Sequence, residues 1–149
     1  MPTDNANTTN TSQAMLWLRL FLPFAGGYFL SYLYRSANAL IGPLLSSELA
    51  LSAGSLGLLT SAYFLSFAAA QLPLGMLLDR FGARRVESAL LLVAAAGGAS
   101  FALGTSIAEL AIARGLIGLG VSACLMAAFK AFALWFPADR QASLTGWIM

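Results

Sequence analysis

Long apolar runs alternate with short polar turns along this chain. Residues 16–45, 53–78, 86–104 and 107–136 are each rich enough in apolar side chains to cross a bilayer, which takes about 20 residues at a rise of 1.5 Å each. Span 53–78 contains no charge at all. Ser52 is placed to cap its N-terminus, and Pro137 stops the fourth span. Pro23, Pro43 and Pro73 lie inside apolar runs, where bends are expected. The chain turns apolar again at about residue 142, but the remaining length rises only ~12 Å, too little to cross. The pattern therefore predicts an all-α, polytopic membrane protein with four complete transmembrane helices and the start of a fifth. Residues 1–15 are polar and rich in Thr and Asn, and read as a flexible tail preceding the bundle of residues 16–149.

Composition agrees. Of 149 residues, 59% are hydrophobic and 9% charged, against roughly 25% charged in soluble domains. Two clusters of small residues, at 94–100 and at Gly115, Gly118, Gly120, Ser122 and Ala123, predict close helix contact. There is no histidine, and the single cysteine, Cys124, excludes an internal disulfide. No metal or hydrolytic constellation and no phosphate-binding loop of the Gly-rich Lys-Ser/Thr type is present. Neither an enzyme nor a cofactor nor a nucleic-acid partner is expected.

The net charge is only +2, so placement matters more than the total. Arg19, Arg80, Arg84, Arg85 and Arg140 fall on one side, with Lys130 near them. The short turns of the other side carry Glu48 and Glu109 and no basic residue. The excess of basic residues on cytoplasmic loops puts the N-terminus inside.

Charges within the spans are the candidates for chemistry. Arg35 lies within about one turn of the middle of the first span, where a charge costs roughly 3 kcal/mol or more. Tyr28, Ser31, Arg35 and Asn38 recur at helical spacing and form one polar stripe. Either Arg35 binds an anionic group as a bidentate donor, or it pairs with another helix. Tyr63, Ser66 and Gln71 in the second span either hydrogen-bond a substrate or bridge helices. Arg114 and Lys130 lie about 24 Å apart along a continuous helix, too far to share one small ligand. Lys130 either snorkels to the headgroups or makes a second anion contact. No acidic residue is read as lying deep in the four spans, so a titrating carboxylate for proton coupling is expected elsewhere.

The densest charge cluster is the turn after the second span, Gly75-x-x-x-Asp79-Arg80-x-Gly82-x-Arg84-Arg85. Gly82 allows a backbone shape other residues resist. Asp79 sits at a helix C-terminus, an unfavourable place for a carboxylate, and so needs a partner. Arg140 is one candidate, and the N-terminus of a helix outside this chain is another.

This turn resembles the signature between the second and third spans of the major facilitator superfamily. Arg114-x-x-x-Gly118-x-Gly120 resembles that superfamily's span-four motif, and Phe136-Pro137 with Arg140 resembles the end of that span. The resemblance covers residues 16–149. It implies part of the N-terminal six-helix half of a twelve-span fold, with the C-terminal half as the missing partner. It also implies a secondary transporter working by alternating access, in a bacterial inner membrane. The turn then acts in an inner gate, with Gly75 and Asp79 central. Arg84 and Arg85 either share that role or fix topology, and Arg114 either assists coupling or packs the span. Tyr-Leu-Tyr-Arg at residues 32–35 is similar to the span-one arginine region of members that carry organic anions and phosphate esters. The expected substrate is accordingly a small organic anion, by symport or antiport. A neutral-solute or drug exporter of the same superfamily, and a four-helix membrane protein that binds partners, are the alternatives.

Overall fold

The computed structural model describes residues 21–135 together with Gln141, Ser143 and Gly146. The tail of residues 1–15, Arg140 and most of the expected fifth span lie outside the described residues. Among the described residues five helices follow one another: α1 (Leu22–Glu48), α2 (Ala53–Phe81), α3 (Ala83–Leu103), α4 (Ile107–Val121) and α5 (Cys124–Trp135). Among the described residues there is no strand.

Local chemistry sets the boundaries. Ser52 caps α2 by accepting from the Ser55 N–H at 3.1 Å, as its position predicts. Gly82 alone joins α2 to α3. Its φ of 81° lies in the left-handed region, where glycine is at ease and other residues are not. Its N–H closes α2 on the Leu78 carbonyl, and its carbonyl opens α3 by accepting from Val86. The start of α4 is a capping box: Ser106 Oγ accepts from the Glu109 N–H, and Glu109 Oε2 accepts from the N–H groups of Ser106 and Thr105. Pro23 occupies the first turn of α1, where its missing N–H costs nothing.

One expected helix is two. The run of residues 107–136 breaks at Ser122–Ala123. Ser122 Oγ donates back to the Leu119 carbonyl at 2.7 Å, and its N–H takes the same carbonyl. Such back-bonding bends helices, and Gly118 and Gly120 weaken the turn just before it. The Ser122 carbonyl is taken by Gln71 Nε2 of α2 at 3.3 Å. A backbone break at membrane depth is tolerated only when a neighbour satisfies the freed group, as here.

Counting α4 and α5 as one segment, three helices among the described residues are long and apolar enough to cross a membrane: Ala53–Phe81, Ala83–Leu103 and Ile107–Trp135. Helix α1 is not among them, although it has 27 residues. The serines, tyrosines and Arg35 on it lower its mean hydropathy.

The α4–α5 segment is the centre. In its apolar window 61% of residues are buried, against 22% in each of α2 and α3. α4 packs along both α2 and α3, and α1 leans chiefly on α5, where the rings of Phe21 and Phe132 stack at 5.6 Å. Contact is made backbone to backbone. A Cβ on Gly97 of α3 would lie 2.9 Å from the Ile117 nitrogen, and one on Gly120 would lie 2.6 Å from the Ala94 Cα. Gly118 presses in the same way on the Tyr63 carbonyl of α2. Both small-residue clusters thus meet on α4. Large apolar side chains such as Leu72, Leu103 and Leu65 point outward.

This packing yields a paired prediction. Gly120→Ala drives a methyl into the α3 backbone and is expected to destabilise by about 1–3 kcal/mol. Gly115→Ala meets open space and should be neutral or stabilise by up to about 1 kcal/mol through helix propensity. Thermal unfolding midpoints in detergent check this, and equal midpoints for the two variants would refute the packing scheme.

Candidate functional site

A cleft opens between α1, α2 and α4. It is lined by Tyr34, Arg35, Leu59, Thr60, Tyr63, Phe64 and Arg114, and encloses about 20 Å³, room for about one water. Arg35 is exposed at its edge, with its guanidinium 5.5 Å from the centre of the Phe67 ring on α2. Arg114 is 2% exposed. Its guanidinium lies 4.6 Å from the Phe101 ring centre, and its Nη1 donates to the Tyr34 carbonyl at 3.3 Å. Both contacts suit a planar cation held away from water. Neither arginine is paired with a carboxylate among the described residues.

Tyr63 stands between them. It stacks on Phe67 with ring centres 6.3 Å apart and is 3% exposed. Its hydroxyl lies within reach of both guanidiniums, with Arg35 the nearer polar partner, although the two are not aligned as a full hydrogen bond. Arg114 Nε is buried and unpartnered. A buried donor without a partner costs about 1–3 kcal/mol. The cleft therefore gathers two cations and two buried polar atoms without fully formed hydrogen bonds, and no acid lines it among the described residues. Such an arrangement can accept a small anion that carries hydrogen-bond acceptors.

The expected polar stripe divides along α1. Arg35 reaches the cleft. Tyr28 packs half-buried against the apolar cluster around Phe24 and Phe132, and Ser31 is buried. The Asn38 side chain lies outside the described residues. In α2, Tyr63 faces the cleft. Ser66 Oγ donates to the Tyr63 carbonyl at 3.0 Å, and Gln71 bridges to Ser122. Tyr34 and Thr60 line the cleft without having been singled out from the sequence. Thr60 does lie three residues before Tyr63, which places the two on one helical face and was a usable signal. Nothing local marks the Tyr34 carbonyl, because its partner Arg114 comes from another helix.

At the other end, the turn after α2 brings two distant charges together. Asp79 forms an ion pair with Lys130 of α5. Lys130 was nominated from the sequence only for snorkelling or an anion contact, and Arg140 lies outside the described residues. The Arg80 guanidinium stacks on the Phe81 ring, and Arg84 and Arg85 are exposed. A Cβ on Gly75 would meet nothing within 4 Å, so no described helix requires glycine there.

One sequence expectation is corrected. An acid does lie inside the bundle: Glu87, in the second turn of α3, is 6% exposed, and its Oε1 has no partner. The sequence reading passed over it; the helical phase sets it on the face turned toward α1 and α5. Among the described residues no group of acids and cysteines could hold a metal ion.

Comparisons with known proteins bear on what this arrangement serves. The family model described as Major Facilitator Superfamily matches residues 24–149. The chain is 32% identical over 127 residues to a hexuronate transporter of Bacillus subtilis, covering 85% of this chain and 30% of that protein. It is 31% identical over 121 residues to a galacturonate transporter of Dickeya chrysanthemi, covering 81% of this chain and 35% of that protein. It is 29% identical over 119 residues to a probable sulfoacetate transporter of Cupriavidus necator, covering 80% of this chain and 28% of that protein. The chain thus spans about a third of the length of these relatives. No solved structure matches it.

The pairing of α2 with α5 is open to direct measurement. A double-mutant cycle with Asp79→Asn and Lys130→Met should give a coupling of about 0.5–1 kcal/mol in low salt, because Asp79 is largely exposed. The coupling should shrink as salt screens it. Zero coupling in low salt would rule out the ion pair.

Proposed function

The chain belongs to the major facilitator superfamily, and we propose that it forms one wall of the substrate path in a multi-pass secondary transporter of small organic acids. The observation that carries this reading is the cleft itself: Arg35 and Arg114 converge on the buried Tyr63 hydroxyl, and among the described residues no acid lines the cleft to neutralise them. An arriving carboxylate or sulfonate satisfies all three. The relatives named as hexuronate, galacturonate and sulfoacetate transporters carry solutes of that class, and galacturonate or glucuronate is the first candidate.

Arg35 is the primary anion contact, since it stands at the cleft's edge and can move onto a ligand. Arg114 is fixed by Tyr34 and Phe101 and supplies a positive field from below. Thr60, whose Oγ1 donates to the Leu56 carbonyl at 2.9 Å, accepts from a sugar hydroxyl in this reading. The cleft holds about one water as it stands, so a sugar acid needs a wider opening and a second wall. Further chain supplies that wall, which accords with relatives about three times as long. The two walls rock about the bound acid, alternating access from either side. In this reading α1 crosses the membrane with its polar face toward the cavity, the N-terminus is cytoplasmic, and the bare surface at Gly75 receives a helix of the facing half as the inner gate closes.

The test is uptake of labelled galacturonate by cells expressing the gene that encodes this chain. A charge-assisted hydrogen bond is worth about 1.5–3 kcal/mol, so Arg35→Ala should lower kcat/KM on the order of tenfold to a hundredfold. Arg35→Lys should fall between, because it keeps charge but loses the bidentate fork. Uptake unchanged in Arg35→Ala would overturn the anion site and favour a neutral solute.

A further inference from the structure

The cleft leaves Glu87 unexplained. Its carboxyl lies against Gly27 of α1. A Cβ built on Gly27 of α1 would sit 3.4 Å from the Glu87 carboxyl carbon and 3.8 Å from the Cys124 sulfur of α5. The carboxyl therefore fills the volume that a side chain at residue 27 would occupy, at the junction of three helices. Glycine at 27 makes the room.

Among the described residues no cation serves this carboxyl. From α1 it meets Gly27, on the buried face shared with Phe24 and Ser31. α5 offers it the Cys124 thiol. Lys130, further along α5, is held by Asp79 of α2. Arg114 of α4 is held by the Tyr34 carbonyl and the Phe101 ring, and Arg35 of α1 by the Phe67 ring. Arg84 and Arg85, on Glu87's own helix, point outward. A carboxylate so enclosed is strongly disfavoured, whereas the neutral acid is tolerated.

We propose that Glu87 is a proton-binding site whose occupancy holds α1, α3 and α5 together at the end of the bundle bearing the Asp79–Arg85 turn, and whose deprotonation separates them. The sign follows from burial. The packed arrangement binds the proton more tightly than the open one, so acid stabilises packing and alkali favours opening. Between the pH at which the open form loses this proton and the higher pH at which the packed form loses it, each pH unit shifts the balance about tenfold toward the open form, and above that window the shift levels off. A proton taken up or released here would couple bundle opening to the pH of whichever side the junction faces. The inference stands whether or not the cleft binds an anion.

Cys124 provides the readout, being the chain's single cysteine and fully buried beside the carboxyl. The experiment is maleimide alkylation of Cys124 in membrane vesicles as pH is raised, in the wild type and in Glu87→Gln, each rate divided by that of the denatured chain. This ratio removes the thiol's own ionisation. Wild-type labelling is expected to rise about tenfold per pH unit through the transition, while Glu87→Gln stays protected. Identical profiles would overturn the proposal. Should Glu87→Gln fail to fold, infrared spectroscopy of the wild type decides. A protonated-acid carbonyl band present at neutral pH, and lost in alkali together with Cys124 protection, supports the site. Its absence at neutral pH overturns it.

Discussion

Close backbone contact on α4 is the interaction on which this structure depends. In lipid, tails are as apolar as leucine, so no hydrophobic force draws one helix to another. Helices must instead meet at a distance where dispersion and backbone dipoles act. Gly118 admits α2 and Gly120 admits α3, with Gly97 returning the favour from the α3 side. This leaves α4 and α5 at the centre, with the large side chains of α2 and α3 turned outward. It also carries Tyr63 and Arg114 to the same depth, so the cleft is a product of the packing.

Polar groups are arranged on that frame by necessity. Each charge inside an apolar bundle requires a partner or a function. Lys130 has Asp79, and Arg114 has a carbonyl and a ring. The break at Ser122 has Gln71. Arg35, the Tyr63 hydroxyl and Glu87 are left incompletely served, and they lie at two separate levels of the bundle. One level is the proposed anion cleft and the other the proposed proton site. Between them runs α1, which packs chiefly on α5.

Much of this was legible in the sequence because one-dimensional patterns report it directly. Apolar run length located the helices, Ser52 and Gly82 marked their ends, and the small-residue clusters marked the contact faces. The family resemblance is matched by the family model over residues 24–149. Arg35 stood out by its depth alone. What remained hidden depends on which helix faces which. The break at Ser122 follows from a side chain competing for a backbone carbonyl, and Gln71 completes it from a different helix. Lys130 could not be assigned to Asp79 because the two lie on helices joined only through the fold. Glu87 was passed over beside three arginines, although helical phase turns it inward and them outward.

The central claim is that charge selects what enters the cleft. The most direct measurement is competition against uptake of a labelled small organic acid, comparing an unlabelled acid with its neutral alcohol or amide analogue of the same shape. The account predicts that the acid competes and that the neutral analogue does not, because only an anion balances the charge of the two guanidiniums. Equal competition by the neutral analogue would contradict it.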